Sequence, residues 1–222
     1  MRYVPELEGI LRKHMIRVPD SINEATGIRI FGKLIKSLAY TTDVAIIKNI
    51  NANAIIAVYP FTPQPAITHA IMTVADVPVF CGVGGGTTSG KRVINLARDA
   101  EFQGAMGVVV NAPTANETIE QLKRALDIPI VVTVVSRHTD LESRLNAGAD
   151  IFNVSGAQNT ASIVSWIREQ YPYVPIIATG GSTDESIRET IEAGANAVTY
   201  TPPTQASLFR ALMEKYRGQW ED

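Results

Sequence analysis

From Asn53 onward one cadence recurs along the chain: a short β-branched run, a polar turn, an amphipathic stretch, then another apolar run. The runs cover residues 54–59, 79–83, 107–111, 130–134, 151–154, 176–179 and 197–200. Apolar residues fill nearly every position in them instead of alternating with polar ones. That pattern marks strands buried on both faces, as parallel strands beneath helices are. An earlier run, 35–42, supplies an eighth strand, and the helix expected after it covers 43–50. The stretch 28–34 reads as the first arm of a hairpin turning near Gly32, and 5–14 reads as a short helix. Both are expected outside the main repeat, closing its bottom.

The amphipathic stretches have readable ends. Thr114 with Glu117, Thr139 with Glu142 and Ser182 with Glu185 fit the capping box, in which two side chains satisfy free amides at a helix start. Gly148 and Gly194 sit where a helix closes on a left-handed residue. A last helix is expected over 205–217, its stripe of Leu208, Leu212 and Tyr216 packed on the body of the molecule. Eight regular βα units with no interrupting linker predict an α/β fold of one domain, a (β/α)8 TIM barrel over 35–222 with 1–34 as an N-terminal helix and hairpin extension. An open doubly wound sheet shares the same alternation and is the alternative.

Composition narrows the partners. The 222 residues carry 20 Lys and Arg against 22 Asp and Glu, a net charge of -2. Such a balance gives no basic field for the phosphates of nucleic acid. No apolar stretch approaches the roughly 20 residues that span a bilayer, so no membrane partner is expected. The charged N-terminus, broken by Pro5 and Pro19, is unlike a signal peptide, and a cytoplasmic protein is the simplest reading. Cys81 is the only cysteine, which excludes an intrachain disulfide and a Cys-based zinc site. A homo-oligomer is expected, without a sequence signal for its contact face.

In a barrel, functional groups gather where strands end. Those positions hold Thr42, Asp43, Tyr59, Asn111, Arg137, His138, Asn153, Ser155, Gly180, Gly181, Ser182 and Tyr200. Hydroxyls, amides and glycines dominate, a lining suited to an oxygen-rich ligand. Carboxylates are scarce, so neither a metal nor another cofactor is expected. Asp43 is the general acid–base candidate, or else the N-cap of its helix. His138 can shuttle a proton, or sits in an exposed turn. Thr42, Tyr59, Asn111, Arg137, Asn153, Ser155 and Tyr200 are the expected substrate contacts. Cys81 reads as a buried core thiol, while Lys33 and Lys36 lie at the wrong end of the barrel for a Schiff base.

Two glycine-rich turns carry the remaining signals. The segment 85–92 nearly matches a P-loop, but Arg92 stands where the magnesium-binding hydroxyl belongs. A loop that brings Lys91 to an anionic group is the better reading. In Ala178-Thr179-Gly180-Gly181-Ser182, glycines precede a helix start whose free amides suit phosphate. On these residues the chain resembles the phosphate-binding (β/α)8 barrel superfamily of sugar-phosphate epimerases, aldolases and thiazole synthase. The resemblance implies phosphate contacts at Gly180, Gly181 and Ser182. The family's second glycine turn is replaced here by Thr201-Pro202-Pro203-Thr204, and prolines donate no amide hydrogen. The runs 58–65 and 81–86 are similar to those of small bacterial barrels labelled as hydrolases. Two functions follow as expectations: an enzyme (hydrolase, isomerase, epimerase or lyase) acting without a metal on a small phosphorylated metabolite, or a sensing barrel that binds one and regulates a partner.

Overall fold

The computed structural model describes residues 15–218 together with Pro5, Leu7, Gly9 and Ile10. The helix expected over 5–14 lies largely outside them. Two short strands come first, β1 (Ile28–Ile30) and β2 (Lys33–Ile35), paired antiparallel. Then follow β3 (Ser37–Tyr40), α1 (Val44–Lys48), β4 (Ala54–Ala57), α2 (Pro65–Val74), β5 (Val79–Gly84), α3 (Lys91–Phe102), β6 (Gly107–Val110) and α4 (Asn116–Ala125). The second half continues with β7 (Ile130–Val134), α5 (Leu141–Ala147), β8 (Ile151–Val154), α6 (Thr160–Gln170), β9 (Ile176–Thr179), α7 (Asp184–Glu192), β10 (Ala197–Tyr200) and α8 (Gln205–Gly218). Strands β3 to β10 run parallel and close into a barrel, β10 pairing with both β9 and β3. Closure decides against the open sheet.

Two cores result from the period-two alternation of each strand. The outer one joins residues such as Ile55, Val79, Val108, Val132 and Phe152 to the helices. The inner one fills the barrel with Leu38, Ile56, Phe80, Val109, Val131, Ile151, Ile177 and Ala197. Ile28, Ile30 and Ile35 of the hairpin belong to this inner core, so β1 and β2 plug the barrel from below. The hairpin turns on Phe31 and Gly32, both at positive φ (45° and 81°), as a tight two-residue turn demands.

The expected first barrel strand, 35–42, is divided. Ile35 ends β2, and β3 begins at Ser37. The amides of Lys36 and Ser37 both donate to Asn53 Oδ1, at 3.0 and 3.2 Å, which pins the bend between plug and barrel.

The three expected capping boxes also move. Thr114 and Thr139 instead donate their hydroxyls to the carbonyls of Asn111 and Ser136, closing the turns that leave the strands. Helix α4 starts after Ala115 with no side-chain cap, and Asp140 caps α5 through the Ser143 amide. At α7 the box is formed by Thr183 with Ser186, one residue beyond the expected pair. Gly148 and Gly194 are left-handed as expected, at φ 111° and 110°.

Helix α8 forms over the expected residues but does not pack on the barrel. None of its residues is buried. The groove between α7 and α1, where a last helix would lie, holds the segment before the hairpin instead. Ile16 bridges to Ile50, the Val18 amide donates to Asn51 Oδ1 at 2.8 Å, and Ser21 Oγ donates to Asp184 Oδ1 at 2.6 Å. Glu24 pairs with Arg188 at 3.2 Å, and the Gly27 amide reaches the Asn196 carbonyl at 2.7 Å. Val18 and Ile22 join the outer core there.

Candidate functional site

Directly above the apolar inner layer, the next inward position on each strand is two residues further along. Those positions hold Tyr40, Val58, Gly82, Asn111, Thr133, Asn153, Thr179 and Thr199. Six of the eight positions carry polar side chains, so the barrel changes from hydrocarbon to hydrogen-bonding groups within one layer.

All of these but Gly82 line a cavity of about 330 Å³ at the C-terminal mouth, with Ser155 and Thr201 at its edge and Ile56 and Val109 in its floor. A second lobe of about 250 Å³ opens beside it under the loops after β4 and β5. Val58, Val109 and Asn111 belong to both, and Tyr59, Phe61, Gly84, Gly86 and Thr88 line only the second.

Thr199 is only 6% exposed, and its Oγ1 has no hydrogen-bond partner. A buried hydroxyl left unpaired costs about 1–3 kcal/mol. Asn153 Nδ2 reaches Thr133 Oγ1 only at 3.4 Å, so that pair is loosely engaged. The mouth therefore holds polar groups with capacity to spare. Tyr40 is the only ionisable side chain among the lining residues of the main cavity.

Asn111, Asn153 and Ser155 thus stand where the sequence suggested, and Tyr59 lines the side lobe, its hydroxyl accepting from the Gln64 amide at 3.0 Å. The others are not brought to the mouth. Tyr200 has the opposite parity to Thr199 and packs on the outer core. Thr42 lies past the end of β3, outside the lining. Arg137 donates to the Ser162 carbonyl at 2.8 Å, beside α6. Lys91 opens α3 on the exposed surface.

Asp43 serves as a cap and tether. Its Oδ1 accepts from the amides of Ala45 and Ile46, and both oxygens accept from Gln205 Nε2, at 2.7 and 2.8 Å. His138 lies in a separate shallow depression with Thr114, Asn116, Ser136, Asp140 and Arg144. Asp140 is held below the usual carboxylate range by the Ser143 hydroxyl and amide, and Arg144 binds the carbonyls of Ala112 and Thr114. The structure does not unite Asp43 with His138.

The glycines after β9 serve packing. A Cβ on Gly180 would come within 2.9 Å of Ile187 Cγ1, in the wall between α7 and the barrel. Gly181, at φ 76°, makes the turn. The start of α7 carries Asp184 and Glu185 and is partly covered by Ser21, and two carboxylates at a helix N-terminus already take the place of an anion. Neither glycine nor Ser182 lines the mouth. Cys81 is buried on the outer face of β5, and burial, with the Asp99 carboxylate adding to it, pushes its thiol up to about 12.

Sequence reasoning missed Tyr40, Thr133 and Thr199. The signal was present, because each lies two residues beyond an inner-core residue of its strand.

No protein-family model and no curated protein matches the chain. Solved structures do. The chain is similar to 2,3-dimethylmalate lyase, a member of the PEP mutase/isocitrate lyase superfamily (TM-score 0.63, 12% identity, 95% of this chain and 86% of that one). It is also similar to a phosphonopyruvate hydrolase solved with oxalate and Mg++ (0.60, 14%, 89% and 84%). A third likeness is to phosphoenolpyruvate phosphomutase from Streptomyces platensis subsp. rosaceus (0.59, 15%, 83% and 81%). The fold is a TIM barrel. At these identities the likeness speaks to architecture.

The Mg++ named for one neighbour gives a test of this mouth. Magnesium is held through one or two carboxylates with near-octahedral oxygen geometry. The oxygen donors here are neutral hydroxyls, amides and a phenol. Among the described residues no group of three His, Cys, Asp or Glu is placed to hold a metal. The donor set does not fit a magnesium ion.

Proposed function

We propose that the chain is an enzyme that takes a small, oxygen-rich metabolite into the barrel mouth, and that its substrate is a phosphorylated or phosphonate-bearing acid. The unpartnered, buried hydroxyl of Thr199 within a ring of neutral donors carries this reading. Thr133, Asn153, Thr179 and Thr199 offer hydrogen bonds to an oxygen that gains negative charge as a bond beside it breaks. Fixed donors of this kind stabilise such charge without reorganising. Tyr40 supplies the proton transfer that Asp43 and His138 are not placed to give; a positioned tyrosine can act as a general acid. Lyase, mutase or hydrolase chemistry is compatible with such a mouth, and the neighbouring folds that host these reactions support it by analogy alone.

A turnover screen over 2-oxo acids, their phosphonates and sugar phosphates tests the proposal. For a compound that is turned over, Tyr40→Phe should lower kcat by about 10²-fold or more with binding retained. An unchanged kcat removes Tyr40 from the chemistry. One observation favours a second reading, a metabolite-sensing barrel: the main cavity is lined by no carboxylate, imidazole or amine. Tight binding of a compound that is never converted would support it.

A further inference from the structure

The ring of inward side chains above the inner core is broken at one point. Where the other seven strands present a side chain, β5 presents Gly82, and its φ is not positive, so no backbone turn calls for a glycine there. What the missing side chain leaves is a passage. Gly82 borders the side lobe of about 250 Å³, and Val58, Val109 and Asn111, from the neighbouring ends of β4 and β6, line both lobes. A Cβ on Gly82 would come within 3.1 Å of Val58 Cγ2 and of the Ala57 carbonyl oxygen, so even a methyl group narrows the way through. The β5–β6 register also shifts between Gly82 and Gly84, an irregularity of the kind that re-aims strand ends beside binding sites. The loop that follows forms one wall of the lobe and is tied in place. Its Gly85 amide donates to the Thr88 carbonyl at 2.9 Å, and buried Thr88 donates its hydroxyl to Thr62 on the facing loop at 3.2 Å.

We propose that the side lobe is a second subsite, which takes an uncharged, carbon-rich arm of the substrate, aryl or branched alkyl, while the acid head sits in the mouth. The proposal rests on the mouth being the head-group site. Val58, Pro60, Phe61, Pro63 and Val109 supply apolar walls, and Tyr59 is the only ionisable side chain among the lining residues. Its phenol oxygen is engaged by the Gln64 amide, and the Thr88 hydroxyl is spent on Thr62. An ionised group placed there would lose its water without gaining a counter-charge. A ring or branched chain instead removes hydrocarbon surface from water, which for a group of phenyl size is worth about tenfold or more in affinity. At about 30 Å³ per water the lobe has the volume of roughly eight waters, room for a phenyl ring and its linking carbon. Gly82 is then a specificity-determining residue, because its bare backbone lets one molecule occupy both lobes.

Calorimetric titration of the full chain with two matched pairs of probes, pyruvate with phenylpyruvate and methylphosphonate with benzylphosphonate, tests the proposal. The expected result is that the arm-bearing member of a pair binds about tenfold tighter or more than the short one. Gly82→Ala should bring that ratio down to about one. Because the added methyl also presses on the Ala57 backbone, Gly86→Leu supplies the same readout from the far wall of the lobe. The φ of Gly86 is not positive and a Cβ there meets no atom within 4 Å, so the fold accepts the side chain. A short member that binds while its partner binds no tighter overturns the subsite and leaves the mouth as the head-group site. A ratio that keeps its wild-type value in both variants also overturns the subsite, because the arm then lies elsewhere. Binding by neither member of either pair overturns the mouth as the head-group site and the subsite with it.

Discussion

At the scale of single residues, Thr199 separates a role in binding from one in folding. Its hydroxyl is buried without a partner, so replacing it by the isosteric valine removes an unmet polar group. Thr199→Val should leave the free protein as stable or stabilise it by up to about 1 kcal/mol, while ligand affinity falls. Chemical denaturation beside calorimetric titration checks both halves. Cys81 gives a pH test. Its thiol stays protonated in the fold up to about 12, whereas the unfolded chain loses the proton above its ordinary value of 9.0. The folded state then binds the extra proton between those two values. Stability contributed below pH 9 should therefore fall across this window by up to about 1.4 kcal/mol per pH unit. The Cys81→Ala variant should show a flatter pH dependence, and identical slopes would count against the burial. Asn111 and Asn153 were legible from the sequence because they fall at the ends of apolar runs that mark strand tops. Thr199 and Tyr200 were not separable by composition, since both are polar-tipped and only the inward phase set by Ala197 tells them apart.

At the scale of elements, the segment in the last groove has buried side chains and α8 has none. Ile22 is fully buried against the outer core, so Ile22→Ala should cost about 2–5 kcal/mol. Leu212→Ala, in a helix none of whose residues is buried, should change stability by less than about 0.5 kcal/mol. Comparable losses at the two sites would mean that α8 is docked after all. The strands and the two left-handed helix ends were readable because burial on both faces and positive φ leave strong residue preferences. The helix starts were not. Thr114 and Thr139 match a cap by residue type, but their hydroxyls close the preceding turn, an alternative that one sequence window cannot distinguish. The segment before the hairpin was missed for a different reason. It fills a helix-shaped groove with irregular chain, so no period announces it.

At the scale of the whole molecule, parallel closure turns eight separate strand ends into one polar layer above a hydrocarbon plug. The regular cadence made that closure legible, and with it the location of the mouth. The position of the charged candidates was not legible, because Asp43, His138 and the glycines after β9 sit at strand tops yet point into caps, turns and packing. The most direct measurement is calorimetric titration of one binding metabolite against four variants. Thr199→Val and Asn153→Ala should each weaken binding by about tenfold, the worth of a lost hydrogen bond, while Asp43→Asn and His138→Ala leave it unchanged. The reverse pattern, with affinity lost at Asp43 or His138 and kept at Thr199 and Asn153, would contradict a ligand site in the barrel mouth.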